Sequence, residues 1–224
     1  QNDLSNIIFS STATVYGNPT HKGSVSETDD IKPINPYGES KARTEQYLQQ
    51  LDSSKINYII LRYFNVAGAD PKMRSGLIKK NPTHLIKIAS EAAIGKRGSV
   101  QIFGNDYNTH DGTAIRDYIH VSDLADIHIK ALQFILEKKQ SEIFNCGYGK
   151  GYSVKDVLNV TNSLCKNRIN ILNAPRRPGD AEMVVSDISK LKRMIDWTPK
   201  YNKLDFIIKT AIDWELKLQN EQIS

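Results

Sequence analysis

Two short apolar runs, NIIFSS (6–11) and NYIILRYF (57–64), flank one helical stretch, and that arrangement leaves the chain few folds to choose from. Both runs are continuous rather than alternating, as expected of strands covered on both faces. The second has the β-branched and aromatic content of a buried strand. Strand, helix and strand within ~60 residues predict a right-handed βαβ crossover in a parallel sheet. Between the runs, residues 17–36 are rich in Gly, Pro, Asn and Asp and read as a loop. The helix then starts with Asn35 as N-cap and Pro36 at its first position, where a missing N–H is harmless, and it continues through LQQL.

Downstream, residues 66–82 read as a long loop, and HLIKIASEAAIG (84–95) as a helix stopped by a glycine. SVQIFG and IRDYIHV are predicted strands separated by the polar loop NDYNTHDGT. LADIHIKALQFIL has helical spacing, and EIFNCGYGKG runs from a strand into a glycine-rich turn. SVKDVLNVTNSLC opens with a capping box, Ser153 to Asp156, and its Val154, Val157, Leu158 and Leu164 are expected on one face. The charged loop NAPRRPGD precedes two last helices. No repeat or linker separates independent domains.

Composition narrows the function classes. No run approaches the ~18 apolar residues of a membrane span, and the polar start QNDLSN has no signal-peptide core, so the cytoplasm is expected. Cys146 and Cys165 lack a Cys-x-x-Cys spacing and are expected to be buried thiols. His110, His120 and His128 show no ligand-like spacing with carboxylates, so no metal is expected. The net charge of +5 admits an anionic partner. Without interleaved aromatic residues, the basic positions point to a phosphorylated small molecule before a nucleic acid. The chain begins with Gln1, and its first dozen residues read like the middle of a domain, which implies a piece of a longer protein.

PYGESK (36–41) raises the question of chemistry. Tyr37 and Lys41 lie one helical turn apart on the same face, close enough for the ammonium to act on the phenol. A phenol with a reference pKa near ~10 is a poor base at neutral pH unless a cation stabilises its phenolate. Yet chance alone places roughly one Tyr-x-x-x-Lys in a chain of this composition, so the pair decides nothing by itself.

Three stretches in order do: FSSTATVYG (9–17), PYGESK (36–41) and RYFNVAGA (62–69), followed by RDYIHVSDLA (116–125). Together they resemble the extended short-chain dehydrogenase family. IFGNDYNTHDGT and APRRPGD draw the resemblance toward its UDP-hexose 4-epimerase branch, over essentially the entire chain. The resemblance implies an α/β fold: the C-terminal part of a Rossmann-type doubly wound parallel sheet plus a smaller α/β substrate-binding domain. Residues 1–65 would belong to the NAD-binding domain and 66–224 mainly to the nucleotide-sugar domain, with 115–137 returning to the former.

The implied reaction is NAD-dependent 4-epimerisation of UDP-glucose and UDP-galactose. Tyr37 would take the proton of the sugar 4-hydroxyl, with Thr12 sharing the hydrogen bond and Lys41 supporting the phenolate. Hydride would pass to NAD and return to the other face of the 4-keto sugar. Thr12, Tyr37, Lys41 and Phe64 are the implied cofactor contacts. Asn65, Leu85, Gln101, Phe103, Arg116, Arg177, Asp180 and Val184, with Thr12, are the implied contacts to the UDP-sugar. The two arginines would take the diphosphate, which guanidinium forks bind bidentately, and Asp180 a ribose or sugar hydroxyl. Val184 stands at the family's size gate in place of a large aromatic, which implies tolerance of N-acetylated sugars. A homodimer is the common family state.

One family feature, the Gly-x-x-Gly-x-x-Gly dinucleotide fingerprint, is not in the sequence. The resemblance places it upstream of FSST, so the chain would lack roughly the first third of the protein, as a fragment of a working enzyme or as a truncated binding protein. A nucleotide-sugar 4,6-dehydratase is the nearest enzymatic rival. Those relatives carry Asp-Glu directly after the Thr, where this chain has Ala13 and Thr14.

Overall fold

The computed structural model describes residues 4–19, 23–165 and 168–223; Gln1 to Asp3 of the polar start and residues 20–22 of the 17–36 loop lie outside them. In chain order the elements are β1 (Asn6–Thr12), α1 (Pro36–Gln49), β2 (Asn57–Tyr63), β3 (Asn65–Ala67), α2 (Leu85–Ala93), β4 (Val100–Phe103) and β5 (Ile115–His120). There follow α3 (Val121–Lys138), β6 (Glu142–Cys146), β7 (Gly151–Ser153), α4 (Val154–Leu164), β8 (Ile171–Ala174), β9 (Met183–Val184), α5 (Ser189–Met194) and α6 (Leu204–Ile223). The expected βαβ unit is present: β1 and β2 pair in parallel from Asn6 opposite Asn57 to Thr12 opposite Tyr63, and β2 pairs in parallel with β6. β5 gathers a second sheet, with β3 and β9 parallel to it and β7 antiparallel. β4 and β8 form a separate parallel pair.

The first core is the β1–β2–β6 sheet under α3. Ile59, Leu61 and Phe144 meet Ile127, Ala131, Phe134 and Ile135 there, each large side chain contributing about 1.5–3 kcal/mol by leaving water. The second core packs α2, α4 and α6 together through Ile86, Val157, Ile207 and Ile208. Both cores follow from the helical spacing of their apolar residues.

Five expectations need correction. β1 is not covered on both faces: it ends the β1–β2–β6 order, with residues 6–9 half-buried and Ser10 exposed. The 66–82 loop is interrupted at its start by β3, and the glycine-rich turn after β6 holds β7; both strands are three residues long, too short to show a period of two. In α4 the capping box forms, but Leu164 is 40% exposed while Val157, Leu158 and Thr161 are buried. Leu164 keeps the side of Val157, seven residues earlier, but it is the last residue of α4 and only partly covered there. Cys146 is buried as expected, whereas Cys165, at the end of α4, is only partly covered.

His120 joins the two halves. It ends β5 and caps α3: its Nδ1 accepts the Ser122 amide at 3.1 Å, so the proton sits on Nε2, 3.1 Å from Thr210 Oγ1 on α6. Burial drives its pKa from 6.5 down to about 4, against a weaker upward pull from Asp123 and Asp70. Because the folded value lies below the unfolded one, the stability it contributes is complete above pH 6.5 and is lost as the pH falls through 4. Urea unfolding should therefore show roughly 3 kcal/mol of acid destabilisation from this residue over that range. The His120→Asn variant, which cannot take up the proton, should lack that component; equal slopes in the two proteins would refute the assignment.

Candidate active site

The start of α1 builds the site. Asn35 Oδ1 accepts the Gly38 amide at 2.8 Å, which caps the helix as expected and leaves Tyr37 in its first turn. Gly38 explains itself in three dimensions: a Cβ there would lie 2.8 Å from the carbonyl oxygen of Thr14. Its absence lets the helix settle onto the 3-10 turn Ala13–Tyr16, which Thr12 caps by accepting the Thr14 amide at 3.2 Å. Gly17 closes that turn at φ +65°, against the carbonyl of Lys32 where no side chain fits. Lys41 Nζ donates to the Ser10 carbonyl at 2.9 Å and lies 5.9 Å from the Tyr37 ring centroid. Tyr37 is 56% exposed and, with Thr12, Tyr63, Phe64, Asn65 and Val184, lines a cavity of about 650 Å³. Phe64 is both core and wall, only 6% exposed within the cluster of Ala13, Val15 and Tyr16.

A second cavity, of about 540 Å³, shares Asn65, His84, Arg116 and Asp180 with the first. Leu85, Gln101, Phe103 and Arg177 also line it. On β4 the residues alternate: Val100 and Ile102 are buried, which turns Gln101 and Phe103 to the cavity side. Leu85 opens α2, whose N-cap His84 makes no side-chain capping bond. The first amides of a helix capped in this way lack intrahelical partners and suit an anion. Burial, with the charge of Lys79, lowers the His84 pKa.

Both arginines reach this cavity. Arg116 donates to the carbonyls of Ile115 at 2.8 Å and Ala181 at 2.7 Å, and burial lowers its pKa. Arg177 lies 4.7 Å from the Phe103 ring centroid and donates Nε to Asp180 Oδ2 at 2.8 Å. The singled-out positions thus fall on two adjoining cavities, with Asp180 paired to Arg177, except Lys41, which stays behind the Tyr37 ring on the Ser10 carbonyl. Val184 stands opposite Arg116 in the β5–β9 register.

Other features escaped the sequence. Tyr63 stands beside Thr12 because the parallel register puts it there, and burial raises its pKa to about 12. The register could have been guessed from the two apolar runs; the side-chain bonds could not. His110 Nε2 lies 3.6 Å from Asp156 Oδ2, a proximity hidden in the spacing, and 3.7 Å from Oδ2 of the adjacent Asp111. Those carboxylates already serve Ser153: Asp156 accepts its amide at 2.9 Å and Asp111 its hydroxyl at 2.5 Å. The cluster is a helix cap. Among the described residues, no helix is long and apolar enough to cross a membrane.

Comparison with known proteins agrees with this geometry. The chain is 44% identical over 217 residues to a UDP-glucose 4-epimerase of Azospirillum brasilense, covering 96% of this chain and 62% of that protein. It thus spans a little under two thirds of the length of the curated relatives it matches. A crystal structure of UDP-glucose-4-epimerase from Stenotrophomonas maltophila, with bound NAD and formylated UDP-arabinopyranose, superimposes with a TM-score of 0.93 at 34% identity, over 97% of this chain and 65% of that one. The UDP-Glc/GlcNAc 4-epimerase of Campylobacter jejuni is 45% identical with a TM-score of 0.78, over 95% and 65%. The sequence pattern of the NAD dependent epimerase/dehydratase family matches residues 1–147, and with the parallel sheet and the Tyr37–Lys41 helix in place, the chain belongs to that family.

Proposed function

We propose that this chain carries the catalytic and sugar-nucleotide side of an NAD-dependent UDP-hexose 4-epimerase that interconverts UDP-glucose and UDP-galactose. The observation that carries the reading is that Tyr37, with the Lys41 ammonium 5.9 Å from its ring centroid, meets Thr12 at one cavity that adjoins a second with two arginines. A UDP-sugar needs both: a base at the sugar and cations at the diphosphate. The flat Phe64 wall and the Thr12 and Tyr37 hydroxyls fit the nicotinamide end of NAD. When bound, NAD supplies the reversible hydride acceptor that such an epimerisation requires.

The chain's own residues have definable tasks. Tyr37 Oη takes and returns the proton of the sugar 4-hydroxyl, and Thr12 Oγ1 orients that hydroxyl. Lys41, fixed by the Ser10 carbonyl, holds positive charge beside the phenol. Arg116 and Arg177 take the diphosphate, and Asp180 orients Arg177 and meets a hydroxyl. Gln101 and Phe103 face the uracil, while Asn65 and Leu85 bound the phosphate–sugar junction. Residues 1–65 serve the cofactor domain and 66–224 mainly the sugar-nucleotide domain, with 115–137 returning to the former; α3 lies on the β1–β2–β6 sheet, whereas β5 joins the other one. A cytoplasmic homodimer acting in galactose metabolism completes the reading. Dehydration is disfavoured: Ala13 is buried among apolar neighbours and Thr14 Oγ1 is bonded to Thr12, so neither supplies the acid–base pair.

Supplied with NAD and UDP-galactose, the protein should form UDP-glucose, resolved by ion-pair chromatography. UDP-GlcNAc should react within about tenfold of that rate because Val184 leaves room for the acetamido group. A cofactor-loaded protein that forms no UDP-glucose would end the reading; turnover of the hexose alone would end its Val184 part.

A further inference from the structure

A chain of contacts runs from α3 to Lys41, and the proposed chemistry uses only its last link, the Ser10 carbonyl. His128, on the side of α3 that faces the sheet, holds its Nδ1 2.8 Å from the Leu124 carbonyl. A carbonyl only accepts, so Nδ1 carries the proton and Nε2 of the neutral ring is an acceptor. The Tyr63 hydroxyl lies 2.5 Å from that Nε2, and the two rings meet edge-on with centroids 5.5 Å apart. The same hydroxyl is 2.6 Å from Ser10 Oγ. Ser10 in turn offers its carbonyl to Lys41 Nζ at 2.9 Å. Four side chains from α3, β2, β1 and α1 are thereby tied in sequence, ending at the ammonium beside Tyr37.

The strands supply the second argument. Tyr63 is opposite Thr12 in the parallel register, and Ser10 is two residues before Thr12 on the same face. A single phenol therefore touches the strand that carries both Thr12 and the anchor of Lys41. Ser10 is exposed on β1, and its hydroxyl meets that of Tyr63. A phenol bound only at Ser10 is held by one partner; bound at His128 as well, its hydroxyl is fixed from both sides and rotation about Cα–Cβ would break both bonds.

We infer that His128 is a positioning residue for the catalytic pair: it pins Tyr63 against Ser10 and so fixes the carbonyl that orients Lys41. This rests on the epimerase reading, but the test separates the two. In the NAD-loaded protein, wild-type conversion of UDP-galactose is measured first, and its failure would count against the reading alone. His128→Leu keeps the volume and deletes the hydrogen bond; it should lower kcat about tenfold with KM changed less than about twofold. His128→Gln places an amide where Nε2 lay and should recover kcat to within about threefold of wild type. Ser10→Ala, on an exposed position that leaves α3 untouched, should lower kcat by about threefold to tenfold. A kcat for His128→Leu within twofold of wild type would overturn the inference. So would a glutamine variant as impaired as the leucine one, because a purely structural loss would not distinguish them. If His128→Leu fails to fold, the serine variant decides: kcat unchanged there overturns the proposal.

Discussion

Replacing Tyr37 by Phe is expected to lower kcat for UDP-galactose by about 10²–10⁴-fold, the usual contribution of a positioned general base. KM should move little, because the diphosphate contacts proposed for Arg116 and Arg177 lie away from the phenol and would bind ground state and transition state alike. The fold should not notice: Tyr37 is 56% exposed in the first helical turn, and phenylalanine keeps the ring. A thermal midpoint unchanged beside a collapsed kcat would isolate the hydroxyl as the cause. Lys41→Met should move kcat in the same direction, since it removes the cation 5.9 Å from the ring. Turnover of Tyr37→Phe within threefold of wild type would mean that some other group takes the proton, and the epimerase reading would lose its base.

The chemistry of that prediction needed the flanking stretches, but its geometry was legible in the start of α1, and the reason lies in locality. Asn35, Pro36, Tyr37 and Lys41 occupy fixed positions in one helical start, so helix geometry alone relates them. The βαβ unit was legible for a similar reason, because continuous apolar runs and a capped helix report on burial and local backbone. What sequence could not supply was anything settled by packing across elements. Gly38 reads as a helix-weakening residue until Thr14 is seen against it. Tyr63 reads as strand filler until the register sets it beside Thr12. The positions of Phe103, Arg116 and Arg177 came from resemblance, and only the fold brings β4, β5 and the 175–180 loop to a common cavity. His110 has Asp111 as its neighbour in sequence, but its second carboxylate, Asp156, is 46 positions away and reaches it through the cap of α4.

The second large effect concerns how α1 is held. Glu45 and Arg62 have side-chain exposures of 2% and 3%, and they bond through Arg62 Nη2 to Glu45 Oε2 at 2.6 Å and through Nε to both carboxylate oxygens at 3.1 Å. Ser11 donates a short bond to the same carboxylate, and Arg62 Nη1 donates to Tyr16 Oη at 2.9 Å. Tyr16 passes its own proton toward Asn145 Oδ1 at 2.7 Å, and burial raises its pKa, against the opposing pull of Arg62. Removing either charge leaves the other buried and unpaired, so Glu45→Ala and Arg62→Ala should each destabilise by about 3–5 kcal/mol in urea unfolding. That is a large part of the ~5–15 kcal/mol that holds a domain together. The double variant Glu45→Leu/Arg62→Met, which removes both charges and fills the space, should lose much less than the sum. Strict additivity would mean that the pair is not coupled. The consequence reaches the chemistry because Tyr37, Lys41 and Glu45 are spaced four apart on one stripe of α1. The stripe runs from an open phenol at one end to a sealed carboxylate at the other. Loosening the sealed end should therefore lower kcat in single variants that remain folded, and the double variant should recover activity together with stability.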